Sequence, residues 1–212
     1  MKALAAQSFW TWFGKNQKAL TFIQEMEEDE SNRLCEQLDN QLVKVSPHLH
    51  YEIAGFENDK RQLVITTGGN PDYFPLAEEL VKQAPKFEEW EIYALKPALP
   101  KGTFIRLKEG GVTFSNEQMW FQPFRKPSEP NDLRLVIFIR LPDFVEDQRL
   151  IAEGLFKMLY LTLGERSVSQ DIQTIEIALV DDEPEERGVQ PLRQLPEFIE
   201  YFNRERRGRR TW

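Results

Sequence analysis

Cysteine is almost missing from this chain: Cys35 stands alone among 212 residues. One thiol cannot close an internal disulfide, so a disulfide-stapled fold is excluded and a reducing compartment fits best. Histidine is nearly as scarce, with only His48 and His50. A zinc site wants three or four protein ligands, and this chain offers few beyond acids. No apolar run approaches the ~18 residues that a membrane helix needs. The N-terminal run Met1-Lys2-Ala3-Leu4-Ala5-Ala6-Gln7 is too short for a signal peptide. These features point to a soluble cytoplasmic protein. Cations are outnumbered too: 27 Lys and Arg against 35 Asp and Glu leave a net charge of -8. Phosphate-backbone binding needs clustered cations, so nucleic acid is disfavoured as a partner. Arg204, Arg206, Arg207, Arg209 and Arg210 crowd the C-terminus, where cations suit a solvated helix end.

What the chain does have is aromatic and aliphatic bulk: 15 Phe, 5 Trp and 41% hydrophobic residues, enough to build a core. It also has an internal repeat. Residues 58–65 (Asn-Asp-Lys-Arg-Gln-Leu-Val-Ile) answer to 131–137 (Asn-Asp-Leu-Arg-Leu-Val-Ile). Pro71-Asp72-Tyr73 answers to Pro142-Asp143-Phe144, and Glu91-Ile92-Tyr93-Ala94-Leu95 to Glu176-Ile177-Ala178-Leu179.

Two N-terminal helices precede the first copy. Ser8 is read as the cap of a helix burying Phe9, Phe13, Leu20 and Ile23, widened by Trp10, Trp12 and Phe22. Glu27-Glu28-Asp29-Glu30 makes an acidic break or the first turn of the next helix, expected from Ser31 to Val45 and stopped by Pro47. Leu49, Tyr51 and Ile53 then alternate with polar residues as a half-buried strand, and Gln62 to Thr67 returns. Asp72 is the expected cap of a helix carrying Leu76, Leu80 and Ala84, and Trp90 to Leu95 is the third strand.

A Pro- and Gly-rich connector follows, holding a small hairpin about Glu109-Gly110-Gly111. In the second copy, Met119 to Phe124 leads through a turn at Lys126 to Asp132 into Leu133 to Arg140. The apolar run Leu135 to Ile139 marks that strand as central and covered on both faces. Asp143 and Glu146 have the spacing of a capping box for a helix burying Ile151, Leu155, Met158 and Thr162. Gln173 to Val180 is the last strand and Pro196 to Arg206 the last helix.

The expected class is α+β: duplicated β-β-α-β units forming a mixed sheet covered by helices, with an N-terminal αα-hairpin and a C-terminal helix. The expected divisions are 1–47 (helical hairpin), 48–98 (first unit), 99–118 (connector) and 119–212 (second unit plus C-terminal helix), together one compact domain. Joining the units edge to edge into one extended sheet is favoured over packing them face to face.

Chemistry is thin. On a strand, His48 and His50 would share a face with Glu52, as a metal pair does; a solvated polar strand face is the favoured reading, since no further histidine exists to complete a site. Cys35 reads as small core packing. Gly68-Gly69 matches no phosphate-binding motif and reads as a turn off a strand. Ser167 and Ser169 are placed in a polar loop with no nearby histidine. The acid pairs Glu78-Glu79 and Glu88-Glu89, and the run Asp181-Asp182-Glu183 with Glu185-Glu186, are too common in kind to specify general acid–base chemistry. Met119-Trp120-Phe121-Gln122-Pro123-Phe124 would suit a peptide or apolar ligand on an edge strand, or the core. No catalytic, cofactor or metal residue is assigned.

Phe9-Trp10-Thr11-Trp12-Phe13, taken with Phe74-Pro75-Leu76, Ala84-Pro85, Trp90 and Ala94-Leu95-Lys96-Pro97, resembles a family of small bacterial cytoplasmic proteins of unknown function. The resemblance covers about the first half of the chain. It implies a bacterial origin and brings no activity or catalytic residue. The expected role is a non-catalytic domain that binds a basic protein partner, steered by the acidic surface. The competing roles are a metal-dependent or other hydrolase using His48 and His50, and a small-ligand binder at the seam between the repeats.

Overall fold

The structure, a computed structural model, describes residues 3–57, 60–126, 128–142, 145, 147–184 and 187–209. The chain divides into two compact units, 1–96 and 97–212.

The first unit opens with helices α1 (Ala3–Thr21) and α2 (Glu28–Val45). Helix α1 begins five residues before Ser8, which therefore does not cap it. Ala3, Leu4, Ala5 and Ala6 are strong helix formers and carry the helix back past Ser8. Helix α2 starts at Glu28, so the acids form its first turn, where negative charge complements the positive end of the helix dipole. Strands β1 (His50–Glu57) and β2 (Lys60–Thr66) pair antiparallel. A 3-10 turn, Pro71–Tyr73, leads into helix α3 (Phe74–Lys82). Asn70 caps that turn, its side chain accepting the Asp72 amide N–H at 3.1 Å; Asp72, the expected helix cap, lies inside the turn, and α3 itself follows Tyr73 with no side-chain cap bond. Strand β3 (Trp90–Ala94) then returns parallel to β2.

Tyr51, Ile53, Leu63, Ile65, Ile92 and Ala94 share one sheet face through this register. They join Phe9, Phe13, Leu20, Leu38, Leu42, Phe74 and Leu80 from the helices in one core. Phe13 meets Phe87 and Trp90 edge-on, each at 5.1 Å between ring centroids. Burying a Phe or Leu side chain of this kind stabilises by roughly 1.5–3 kcal/mol. Two polar contacts tie the helices down. The Trp10 indole N–H donates to the Leu80 carbonyl at 2.9 Å. The buried Arg61 donates from Nε to the carbonyl of Thr21, the last residue of α1, at 2.9 Å, so a cation caps the negative end of that helix. Phe22 lies beyond α1 and is exposed rather than packed.

The second unit includes the span read as a connector. It holds a hairpin, β4 (Arg106–Glu109) and β5 (Val112–Ser115), whose loop glycines Gly110 and Gly111 both take positive φ, as a two-residue hairpin turn demands. Strands β6 (Met119–Lys126) and β7 (Glu129–Ile139) pair antiparallel. Helix α4 (Gln148–Asp171) crosses over to β8 (Ile172–Leu179), which runs parallel to β7. A two-residue strand, β9 (Gln190–Pro191), adds antiparallel to β6, and helix α5 (Leu195–Arg209) ends the described chain. The Asp147 carboxylate caps α4 by accepting the N–H of Arg149 and Leu150; the expected box of Asp143 and Glu146 lies outside the described residues. Gly164, at φ 79° and ψ 156°, breaks α4 before its last turns. Leu135, Ile137 and Ile139 of the central strand lie on one core with Phe114, Phe121, Leu155, Met158, Ile199 and Phe202. Gly154 lets α4 approach the hairpin: a Cβ there would sit 2.4 Å from the Phe114 ring.

The two spans therefore trace the same path: an antiparallel hairpin, a crossover helix, then a strand parallel to the second. They do not fuse into the single sheet favoured above. Among the described residues, β1-β2-β3 and β8-β7-β6-β9 are separate sheets. Each has its own helices and its own core, so no shared edge is needed to cover its apolar face. Two details of the repeat shift. Pairing reaches Lys126 opposite Glu129, so Asn131 and Asp132 are strand residues, not a turn; the Arg134 guanidinium pairs with Glu129 and Thr174 across that extension. In the third strands, Leu63 faces Ile92 while Leu135 faces Ile175, so the structural partner of Ile92 is Ile175 and not Ile177. A two-residue slip preserves which face is apolar, so the text of the sequence conceals it.

Candidate functional site

Strand β1 is an edge of its sheet, since among the described residues it pairs only with β2. An edge strand presents backbone N–H and C=O groups along its free side. Beside it, the first half of α2 and the 3-10 turn Ile23–Glu25 leave a groove of about 510 Å³. Ile23, Met26, Cys35, Tyr51 and Ile53 give it apolar walls. Glu28 and Glu52 stand at its rim, and Glu27, Asp29 and Glu30 extend the acidic side. Glu52 is held by Lys96, whereas Glu28 forms no ion pair among the described residues.

The Tyr51 hydroxyl donates to the Cys35 carbonyl at 3.3 Å, which joins the groove's two walls. Burial, then the neighbouring Cys35 and Asp39, push the phenol well above its ordinary range, so it stays neutral. Cys35 is half-buried and lines this groove, rather than lying wholly in the core. The sequence signal for the groove was weak: Ile23, Cys35, Tyr51 and Ile53 all read as core, and only the tertiary arrangement leaves them partly open.

The second unit holds the counterpart of β1. Ile65 corresponds to Ile137, so Tyr51 of β1 corresponds to Phe121 of β6 and His50 to Trp120. There the edge is covered: β9 pairs at Trp120 with Pro191 and at Phe121 with Gln190. Sequence reasoning missed β9 because two residues carry no periodicity. It also means that the aromatic run beginning at Met119 is covered at Trp120 and Phe121; Met119, Trp120 and Phe121 are all buried.

The other candidate residues separate. His48 sits in the turn before β1, not on the strand, and its ring stacks on Tyr73 with centroids 3.8 Å apart. His50 is exposed on β1 with Glu52. Among the described residues, no three His, Cys, Asp or Glu gather where a metal could bind. Gly68 and Gly69 take positive φ, and the Thr66 hydroxyl oxygen accepts the Gly68 N–H at 3.1 Å, so the pair makes a turn. Ser167 and Ser169 are helical, not in a loop: their hydroxyls bond Asp171 and the Glu165 carbonyl, each four residues away within α4. The acids Glu78 and Glu79 are exposed on α3, and Glu88 and Glu89 precede β3. Arg206 approaches Asp171 at 3.8 Å, whereas Arg210, Glu185 and Glu186 lie outside the described residues. No helix among the described residues is long and apolar enough to cross a membrane. Compared with known proteins, the chain matches no family model and no curated sequence.

Proposed function

We propose that this chain is a non-catalytic, protein-binding domain of a bacterial cytoplasmic protein, and that it takes an extended, basic segment of its partner along β1. One observation carries the reading: β9 pairs along β6 at Trp120 and Phe121 in the second unit, whereas among the described residues the matching edge of β1 has no such strand and lies beside an apolar groove with an acidic rim. An added strand gains affinity from main-chain hydrogen bonds and specificity from side-chain pockets. The acids Glu27 to Glu30 select Lys or Arg on the incoming segment and speed its encounter at low salt.

A fluorescent peptide of alternating Lys and Leu tests this against the intact chain. Saturable binding is expected, weaker at about 500 mM than at about 50 mM salt because exposed charges are screened. Glu28→Lys should weaken it more than Glu197→Lys, a reversal on α5 in the second unit. An N-methylated peptide, which cannot donate the main-chain bonds, should bind poorly. Equal binding by the N-methylated form, or equal loss at Glu197, would discard strand addition in favour of plain charge attraction.

A further inference from the structure

A second cleft, of about 480 Å³, lies wholly in the second unit at the carboxyl ends of the parallel strands β7 and β8. Arg140, the residue after β7, and Asp181, two residues after β8, stand on its wall. Ligands of open α/β sheets favour this end of parallel strands, because the crossover helix and the strand tips leave a crevice there. The backbone fixes Arg140: its amide N–H donates to the Gln118 carbonyl at 2.9 Å. Its guanidinium lies 6.0 Å from the centre of the Trp120 ring. It forms no ion pair among the described residues, although it is half-buried. Asp181 likewise forms none, with Arg140 or with any other described residue.

Two opposite charges thus share one small cleft without meeting. A half-buried cation without a counter-ion is costly, and an aromatic ring offsets only part of that cost. A ligand that carries both charges, spaced by its own bonds, satisfies both walls at once. Val112 and Leu141 add an apolar wall. We propose that this cleft binds a small zwitterion of the α-amino-acid class with an apolar side chain, its carboxylate on Arg140 and its ammonium on Asp181. The site is private to the second unit. Position 140 corresponds to Gly68 in the first, through the shared register of Ile65 and Ile137, and a glycine offers no charge there.

Titration of L-leucine against the intact chain, followed by amide chemical shifts, tests the proposal. Saturable shifts are expected at Thr113, Gln118, Leu141 and Asp181, with half-saturation below about 10 mM, as for a weak small-ligand site. Leucinamide, which lacks the carboxylate, and N-acetyl-leucine, which lacks the ammonium, should each bind at least about tenfold more weakly, the loss of one charge-assisted contact. Arg140→Gln should abolish the preference for leucine over leucinamide, and the exposed Asp181→Asn should abolish the preference over N-acetyl-leucine. If Arg140→Gln does not fold, Asp181→Asn alone decides. The proposal is overturned if leucine gives no saturable shift, or if either analogue binds as well as leucine. The outcome is independent of the peptide assay, which reads the other unit.

Discussion

The two units follow one chain path and end on the same third-strand edge, yet they differ at the hairpin strand. In the first, the hairpin strand β1 pairs only with β2 among the described residues, while the third strand, β3, is short and carries the buried Trp90. In the second, β9 covers the hairpin strand β6, and the third strand β8 runs eight residues with Ile177 at 41% and Leu179 at 54% exposure. Both residues sit on the same sheet face as the buried Ile137 and Ile139, so the core face continues past its helical cover. The difference follows from the supply of covering elements. Three helices pack on a three-stranded sheet in the first unit, whereas two helices and a hairpin share a four-stranded sheet in the second. A duplicated scaffold therefore need not duplicate a surface: the few residues outside the repeat decide which edge is presented.

The cores give the largest effects by which the comparison can be broken. Phe13→Ala removes a fully buried ring from the aromatic cluster of the first unit and should cost about 3–5 kcal/mol in denaturant unfolding. A loss below about 1 kcal/mol would mean that this cluster does not hold the helices to the sheet. In the second unit, close approach replaces aromatic bulk. Gly154→Ala gains up to about 1 kcal/mol of helix propensity but drives a methyl into the Phe114 ring. That ring is fully buried, so a net loss of about 1–3 kcal/mol is expected, and Phe114→Leu should recover part of it.

The edges give smaller effects. Leu179→Lys places a charge on an exposed edge position and should change stability by less than about 0.5 kcal/mol. It should also lower any self-association seen by light scattering, since a lysine on an edge strand opposes strand-to-strand pairing. A large stability loss instead would show that Leu179 is covered in solution. Last, Tyr51→Phe sharpens the groove by its pH dependence. The phenol is raised in the folded state, so its contribution is fully present below the unfolded value of about 10 and fades as pH rises beyond it. The variant and parent stabilities should run parallel below about pH 10, and the parent should fall faster above it. Parallel curves throughout would mean that Tyr51 titrates normally and is not shielded by α2.

Much of this architecture was legible in the residues because it rests on local periodicity. The apolar run Leu135 to Ile139 announced a central strand, and Ile151, Leu155 and Met158 announced a buried helix face. Boundaries failed where local signals competed. Ser8 looked like a cap but sits within a run that alanines had already made helical. Ser167 and Ser169 looked like loop residues because Gly164 interrupts the helix just before them. The candidate sites were hardly legible at all. Arg140 and Asp181 lie 41 positions apart and meet one cleft only because β7 and β8 run parallel and in register.

The order of residues by itself determined the elements, their apolar faces and the twofold recurrence of hairpin, helix and strand. Those depend on spacing along the chain and on the propensities of neighbours, which any segment carries with it. Which strand edge stays open, which charges share a cleft, and that the repeats build two sheets rather than one were decided only in three dimensions. Each depends on what packs beside a segment, and a chain brings such neighbours together from far apart in number.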